Sequence, residues 1–234
     1  VSRNRGWLLN ARANWGRSFR VPTFADLFFQ DFRARGNANL LPEKSWDLDA
    51  GLQFGFPWLG WLEVSGTTFR HKVENLIVWE LGSFATWQPF NTNALLTGWE
   101  FSGVWEIWQN RIHLNASHVI LNAVDKSGRR TTHDKRLPYR PEHTTKVGME
   151  MNFRKFALNY HRRLVGKRFV TPSNTVSRPG YAVDDVTILA RHEFHKFKVN
   201  LKLSIFNLFD EKYEIVERAP LPGQHWRAEL EVSY

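Results

Sequence analysis

Alternation of apolar and polar residues with a period of two is the feature that most limits how this chain can fold. In residues 197–205, FKVNLKLSI, five apolar side chains alternate with lysine, asparagine and serine, and residues 225–234, HWRAELEVSY, repeat the pattern. Successive side chains of a strand point to opposite faces, so both segments predict strands with one apolar and one polar face. If the two strands pair, the lysines of the first face the glutamates of the second.

The same pattern divides most of the chain into about ten strands. We predict them near residues 6–19, 44–55, 61–79, 96–108, 111–124, 143–153, 156–170, 181–194, 197–207 and 225–234. Short connections alternate with long ones, the long ones lying near 20–43, 80–95, 125–142, 171–180 and 208–224. This alternation predicts an all-β fold, an antiparallel up-and-down meander with every long loop at one end, which is typical of transmembrane β-barrels.

Aromatic residues support a membrane barrel. One set lies beside the short connections: Phe56, Trp58, Trp61, Trp105, Trp108, Phe153, Phe156, Phe194 and Phe197. A second set lies at the far ends of the strands: Trp79, Phe169, Tyr181 and Phe206. Two bands separated by one strand length are typical of interfacial aromatic girdles. The alternative interpretation is an aromatic core in a soluble β-protein.

Composition narrows the class of protein further. No apolar run reaches the length of about 18 residues that a membrane-spanning helix needs, which excludes a helical membrane protein. The chain has no cysteine and therefore no disulfide framework. Its net charge of +9 would suit nucleic acid or an anionic membrane surface. The basic residues are spread along the chain, however, so we expect no nucleic-acid partner.

The first residues, VSRNRGWLLN, include no methionine and no signal region. We therefore expect either a processed leader or, preferably, a piece of a longer chain.

The register of the last two strands is constrained by the free energy of transfer into lipid, because a Lys or Arg on the lipid face near the middle of a bilayer costs about 2–4 kcal/mol. A slip of one residue would turn a whole polar row towards lipid, so we expect apolar side chains outside and polar side chains inside.

Six segments resemble TonB-dependent outer-membrane receptors, in the order that this family shows. The first two are RANWGRSFRVPTFADLFF (12–29), with Phe19, Arg20 and Pro22, and GNANLLPEKSWDLDAGLQF (36–54), with Asn37, Asn39, Leu40, Pro42 and Glu43. LLTGWEFSG (95–103) and LPYRPEHTTKVGME (137–150) are similar to later strand entries. SIFNLFDEKYE (204–214), with Asn207, Leu208, Phe209, Asp210 and Tyr213, resembles the motif after the penultimate strand, and PLPGQHWRAELEVSY (220–234) resembles the final strand. Val21 and Ala38 depart from the commoner Ala and Pro.

The resemblance implies a 22-stranded barrel with an N-terminal plug, of which residues 1–234 are the C-terminal portion. It implies an active transporter in the outer membrane of a Gram-negative bacterium, which imports a scarce solute such as a ferric siderophore or a cobalamin-like molecule. The implied partners are outer-membrane lipid and lipopolysaccharide, a small-molecule or metal-chelate ligand, and TonB through the missing N-terminal region. The resemblance also implies that Tyr234 is a signal for barrel assembly. We expect the ten strands to form a curved open sheet.

Two other functions remain open. The first is a barrel without energy coupling, such as a porin or an adhesin, and the second is a soluble, basic, nucleic-acid-binding β-protein. No motif supports catalysis, and we expect no enzyme activity, no cofactor and no resident metal. His192 and His195 flank a short turn, where a structural role is favoured over a metal site. Haem receptors of this family carry a histidine between the first two motifs, which is absent here, so His133 and His143 are the remaining haem candidates.

Ligand contacts are predicted in three of the long loops. The candidates are Arg33, Arg35, Trp87, Phe90, Asn91, Asn93, Arg129, Arg130, Lys135 and Arg136. The basic run SGRRTTHDKR (127–136) would attract an anionic ligand such as a ferric siderophore, and the aromatic and amide residues of SFATWQPFNTN (83–93) suit a small polar organic ligand. Alternatively, the basic residues are solvated loop charges or pair with lipopolysaccharide phosphates, and the aromatic residues order the loop.

Overall fold

The computed structural model describes residues 6–82, 86–108, 111–217 and 219–234. Its strands are β1 (Leu8–Arg20), β2 (Glu43–Pro57), β3 (Gly60–Leu81), β4 (Trp87–Ile107), β5 (Ile112–Asp125), β6 (His143–Phe153), β7 (Phe156–Val165), β8 (Arg168–Phe169), β9 (Ser177–Arg178), β10 (Tyr181–Phe194), β11 (Phe197–Phe206) and β12 (His225–Ser233). One short helix, α1 (Phe24–Phe28), follows β1. In the described part of the chain no helix is long and apolar enough to cross a membrane.

Ten strands form one antiparallel sheet in the order β1-β2-β3-β4-β5-β6-β7-β10-β11-β12, while β8 and β9 pair separately. Each long strand therefore pairs with its neighbour in sequence, which confirms the predicted meander. β1 and β12 are the two edges of the sheet and do not pair with each other among the described residues. The sheet is open, as expected.

The hairpin of β3 and β4 is longer than predicted. β4 begins at Trp87 instead of near residue 96, and a register shift between Val73 and Leu76 interrupts the ladder. There the backbone of Asn75 has a φ of 58°, and its N–H donates to the side-chain oxygen of Asn93 at 3.1 Å. This bulge changes the phase of the alternation, so a period of two read from residue 96 does not continue through it.

The loop placement of one candidate group is consequently wrong. Trp87, Phe90, Asn91 and Asn93, which the sequence predicts at a loop tip, lie in β4; the first three lie in the part of the hairpin beyond the bulge, and Asn93 lies at the bulge itself. We call this part, residues 76–81 and 87–92, the hairpin extension. The sequence segment 83–93 was expected to be one loop, but residues 83–85 lie outside the described part of the chain.

The two faces of the sheet differ as the alternation predicts. On what we call the polar face, Lys202 lies 3.5 Å from Glu229 and Asn200 donates to Glu231 at 3.2 Å, which confirms the predicted pairing of lysine and glutamate rows. Ser65 and Ser102 are hydrogen-bonded farther along the same face at 2.7 Å. The opposite, apolar face is uncovered: exposed large side chains on it include Leu9, Leu52, Val64, Phe101, Leu201, Leu203, Trp226, Leu230 and Val232.

Aromatic side chains do cluster beside the short turns. Trp58 stacks on Trp105 with ring centroids 4.7 Å apart, and Phe197 lies 5.6 Å from Tyr234. Trp61 is an exception, because its ring packs over Gly55, where an added Cβ would come within 2.5 Å of it. Trp61 lies on the polar face because it is one residue from Leu62, which pairs with Phe56 and Trp105 on the apolar face.

The predicted second aromatic band is wrong in its members. Trp79 donates to Asp26 of the β1–β2 connection, Tyr181 packs against Tyr213 with tilted rings, and Phe206 stacks on His225. Phe169 lies in β8, outside the main sheet. Rings that are exposed on the apolar face towards the long loops include Phe19, Trp15, Trp99 and Trp226. An aromatic residue at the end of a strand can pack against a loop or lie at the membrane–water interface. The sequence alone does not distinguish these two positions.

Gly60 provides a test of the turn between β2 and β3. Its φ is 137°, and an added Cβ would lie 1.9 Å from the backbone oxygen of Glu106. We expect Gly60→Ala to lower the free energy of unfolding by about 1–3 kcal/mol, because a backbone atom cannot move aside as a side chain does. The measurement is the urea midpoint of the purified protein. Gly16→Ala is the control, since nothing lies within 4 Å of its added Cβ; equal midpoints for both variants would contradict this account.

Candidate functional site

The long connections at one end of the sheet form the candidate functional site, which is organised around the hairpin extension. On one side, the β1–β2 connection (21–42) pairs with it: Arg35 N donates to Trp87 O at 2.9 Å, and Trp87 N donates to Arg33 O at 2.7 Å. On the other side, Arg129 of the β5–β6 connection (126–142) bonds to Glu80. The extension is therefore held between two loops.

The first two family motifs meet in one structural unit. Arg20 Nε donates to Glu43 at 2.9 Å across the ends of β1 and β2. Asn37 donates to Pro89 O at 3.2 Å, and Leu40 is buried. Pro42 O accepts a hydrogen bond from Asn75 at 3.4 Å. Asn37 thus ties the loop to the hairpin extension and Pro42 ties it to the bulge, whereas Phe19 is 77% exposed.

Asp26 is the buried anchor of this loop. It forms a capping box with Thr23 at the start of α1, and its other oxygen accepts from Trp79 Nε1 at 3.0 Å. Burial raises the pKa of Asp26, but the hydrogen bonds from Thr23 and Trp79 and the charge of Arg20 outweigh it and hold this pKa below its ordinary value of 3.8. Asp26 is therefore ionised at neutral pH.

The side chains of Asn91 and Asn93 form hydrogen bonds with backbone groups of the β1–β2 connection and of the bulge. Asn91 Oδ1 accepts from Leu41 N at 2.8 Å, and its Nδ2 donates to the carbonyls of Leu41 and Asn75. Asn93 Oδ1 caps the bulge at Asn75. These amides have structural partners, and their predicted contact with ligand stays a prediction, as it does for Trp87 and Phe90.

Arg129 is the centre of a charged network under the hairpin extension. Its guanidinium contacts both oxygens of Glu80, at 3.1 and 3.2 Å, and Asp125 at 3.1 Å. Thr92 also donates to Asp125 at 3.0 Å. Burial raises the pKa of Asp125, but hydrogen bonds from Ser127, Thr92 and Arg129 outweigh it, so the pKa lies below its ordinary value.

The other basic loop residues divide into two groups. Arg136 lies 2.8 Å from Glu142, and its backbone is bound on both sides by Asn174. Arg130 and Lys135 are exposed, and within the described ranges neither side chain has an ion-pair partner. Arg33 and Arg35 are exposed as well. Four of the predicted cations are thus open to a ligand, and their role stays a prediction.

The family motif of residues 204–214 forms a hub beside β10. Asn207 is 3% exposed; its Oδ1 accepts from Glu211 N at 2.8 Å and its Nδ2 donates to Glu211 O at 2.9 Å. Asp210 accepts from Gln224 N at 2.8 Å. Leu208 donates its N–H to Asp184 O, whereas Phe209 is 71% exposed. The motif closes the β11–β12 connection onto itself and onto β10.

A cavity of about 480 Å³ lies where this connection meets the β8–β9 hairpin. Tyr181 and Tyr213 form one wall, with ring centroids 4.6 Å apart. The charged lining residues are Arg168, Arg178, Asp210, Glu211, Lys212 and Glu214, three of each sign. No sequence pattern predicted this cavity. The available signal was Tyr213, which belongs to the motif of residues 204–214.

The histidines do not converge on a metal site in the described ranges, where no group of three or more histidine or acidic side chains is suited to hold a metal ion. His192 lies 3.5 Å from Lys155, and His143 stacks on His118. His133 contacts Ser127 O and Asp134. His195 lies 5.4 Å from the Phe194 ring, so each histidine named as a candidate has a structural contact.

The ionised form of Asp26 stabilises the loop, which gives a prediction with a pH dependence. Because the folded pKa is lowered, this contribution is complete above the ordinary pKa of 3.8 and is lost as the pH falls through the folded value. We expect Asp26→Asn to accelerate amide exchange in residues 23–41 about tenfold at neutral pH, since one amide oxygen cannot replace two carboxylate oxygens. Asp31→Asn, an exposed position in the same loop, is the control; equal acceleration by both variants would contradict the anchor.

The Arg129 network gives a second prediction. Arg129→Ala leaves Glu80 and Asp125 without their common cation. We expect this to destabilise the folded β5–β6 connection by about 1–3 kcal/mol. We expect a destabilisation at the lower end of this range, because the Arg129 side chain is 40% exposed and solvent screens its ion pairs. The measurement is the rate of proteolysis in residues 126–142. Arg130→Ala removes the same side chain one position away and should leave the rate unchanged, and equal rates in both variants would count against the network.

Comparison with known proteins identifies the family. The model of the family described as TonB dependent receptor-like, beta-barrel matches residues 4–208. The vitamin B12 transporter BtuB of Vibrio vulnificus (strain CMCP6) is 25% identical over 227 residues, covering 96% of this chain and 34% of that protein. BtuB of Photobacterium profundum is 27% identical over 210 residues, covering 88% and 32%. The chain thus spans about a third of the length of these curated relatives.

Solved structures show the same fold. The copper transporter OprC superposes with a TM-score of 0.71 at 19% identity, covering 96% of this chain and 36% of that chain. The ferric citrate transporter FecA superposes with a TM-score of 0.72 at 15% identity, covering 97% and 36%. Because the family model matches most of its length, this chain belongs to the TonB-dependent receptor β-barrel family, and the open meander and the two motif units agree with this.

Proposed function

We propose that residues 1–234 are the C-terminal portion of the barrel of an active outer-membrane transporter in a Gram-negative bacterium. In this proposal the apolar face contacts lipid, the polar face lines the lumen, and the long connections face the outside of the cell. The rest of the protein would supply the other strands, a plug and the region that contacts TonB. The protein is a transporter without enzymatic activity.

The family match carries this proposal, and the arrangement of the faces supports it. The exposed apolar face needs a non-aqueous neighbour, since contiguous apolar surface of this extent is rare on soluble proteins. A soluble nucleic-acid-binding protein would leave that face in water. The polar face, with its rows of charged and amide side chains, suits a hydrated interior or a polar domain.

The ligand we propose is a scarce small molecule, and a cobalamin-like corrinoid is the first candidate. The curated relatives are named vitamin B12 transporters, and they match nearly the whole chain. A ferric siderophore is the second candidate, supported by the exposed cations Arg33, Arg35, Arg130 and Lys135, which suit an anionic chelate. The cavity beside Tyr181 and Tyr213 is the third part of the proposed contact surface.

Uptake by the full-length protein tests the proposal. We expect outer-membrane localisation, saturable binding of cyanocobalamin by the purified receptor, and uptake that is lost when TonB is deleted. Uptake that persists without TonB would identify a passive barrel, and partition into the soluble fraction would contradict a membrane protein. Binding of ferric siderophores in place of cyanocobalamin would reassign the ligand and leave the transport class intact.

Charge reversal locates the ligand contact in the same assay. The double variant Arg130→Glu/Lys135→Glu is expected to weaken binding of an anionic chelate at least about tenfold, because it replaces attraction by repulsion. Arg154→Glu, in the short turn at the opposite end of the sheet, is the matched control. Equal weakening by the two variants would remove the loop cations from the proposed contact surface.

A further inference from the structure

The cavity of about 480 Å³ beside Tyr181 and Tyr213 receives its charges from two separate segments of the chain. The β8–β9 hairpin contributes only cations, Arg168 and Arg178. The β11–β12 connection contributes all of the acidic charge, and its charged lining residues are Asp210, Glu211, Lys212 and Glu214. The cavity is therefore basic on one side and mainly acidic on the other.

Arg168 is a buried cation that forms no ion pair with a carboxylate within the described ranges. The residue is only 6% exposed. Its Nη1 donates to Pro179 O at 3.4 Å and its Nη2 donates to Glu214 O, and both acceptors are neutral backbone carbonyls. The guanidinium also lies 5.5 Å from the centre of the Tyr181 ring. Because a buried charge is costly unless it is paired, an anion in the cavity would supply the partner that Arg168 lacks.

Arg178 offers an unused donor on the same side of the cavity. Its Nη2 lies 2.9 Å from Glu217, but its Nε is buried and has no hydrogen-bond partner among the described residues. A buried donor without an acceptor keeps its full desolvation cost. The fork of donors on arginine matches the two oxygens of a carboxylate. The basic side therefore favours a ligand with a carboxylate group.

On the acidic side, Glu211 is the carboxylate that is free to bind a cation. The residue is half-buried, and its side chain has no hydrogen bond or ion pair within the described ranges, whereas its backbone is held by Asn207. Asp210 already accepts a hydrogen bond from Gln224 N at 2.8 Å. Lys212 is exposed, so solvent screens its charge. The acidic side therefore favours an ammonium group.

We propose that this cavity binds a short zwitterionic peptide, and this rests on the proposed function, which places the cavity on the outer side of the membrane. The terminal carboxylate binds Arg168 and Arg178, and the terminal ammonium binds Glu211. The apolar body packs against Tyr213 and Leu221, which also line the cavity. A compact cavity of this volume is about 8 Å across, and an extended dipeptide spans about 7 Å at its length per residue, so the two sizes match.

Calorimetric titration of the purified full-length receptor tests the site with three probes that share one backbone. Glycyl-phenylalanine carries both terminal charges, its N-acetyl derivative lacks the ammonium, and its C-terminal amide lacks the carboxylate. We expect glycyl-phenylalanine to bind at least about tenfold more tightly than either derivative, because each derivative loses one charge-assisted contact. Equal affinities for the three probes, or no binding of glycyl-phenylalanine, would overturn the proposal.

Two variants assign the terminal charges of the peptide to their partners. Glu211→Gln removes the partner of the ammonium, so glycyl-phenylalanine should bind no more tightly than its N-acetyl derivative. Arg168→Met removes a partner of the carboxylate and keeps an unbranched side chain, so glycyl-phenylalanine and its amide should bind with similar affinity. A merely structural role of both residues would weaken the three probes alike, and that result would overturn the site.

Glu193→Gln is the matched control, because it removes the same charge at the opposite end of β10. This variant should bind the three probes like the unmodified receptor, and a loss equal to that of Glu211→Gln would overturn the site. TonB-dependent solute uptake is measured separately. Normal uptake without binding of glycyl-phenylalanine refutes only the peptide site, whereas uptake that persists without TonB refutes the proposed function.

Discussion

Segregation of apolar and polar side chains onto opposite faces of one sheet is the constraint on which the rest of the structure depends. The described part of the chain has a single small cluster of buried apolar residues, around Ala94, Ala123 and Leu137, where a loop folds over the strands. Backbone ladders and cross-strand pairs hold the remaining sheet together. Such a sheet needs a different neighbour on each side, and the membrane and the barrel interior provide them in this family.

Polar side chains determine how the loops are placed. Asp26, Arg129 and Asn207 each satisfy several backbone or side-chain groups at the end of a strand. In the β1–β2 connection most of the large apolar side chains are exposed, among them Phe24, Phe28 and Phe32, so they form no core of their own. The loops are therefore positioned by hydrogen bonds and charge, while the strands are positioned by the alternation. The exposed cations Arg130 and Lys135 extend from loops that are already fixed.

The sequence predicted the sheet well because its strands alternate without interruption, as residues 197–205 and 225–234 show. It failed at the β3–β4 hairpin, where the bulge at Asn75 changes the phase of the pattern. It also misplaced Trp79, whose partner Asp26 lies 53 residues away in a loop. The cavity beside Tyr181 and Tyr213 joins segments that are distant in sequence, and no local pattern identifies such a meeting. Three-dimensional proximity was the missing information in each case.

The hairpin extension has a mechanical consequence. It is a two-stranded β-ribbon that continues the sheet beyond a bulge, here called the beam. Two loops are bonded to it, one through Asp26 and the other through Arg129. A displacement of either loop therefore tilts the beam, and the beam carries the other loop with it. The two loops are thus linked through adjacent residues of one strand, Trp79 and Glu80, so that a contact made by one loop is transmitted to the other.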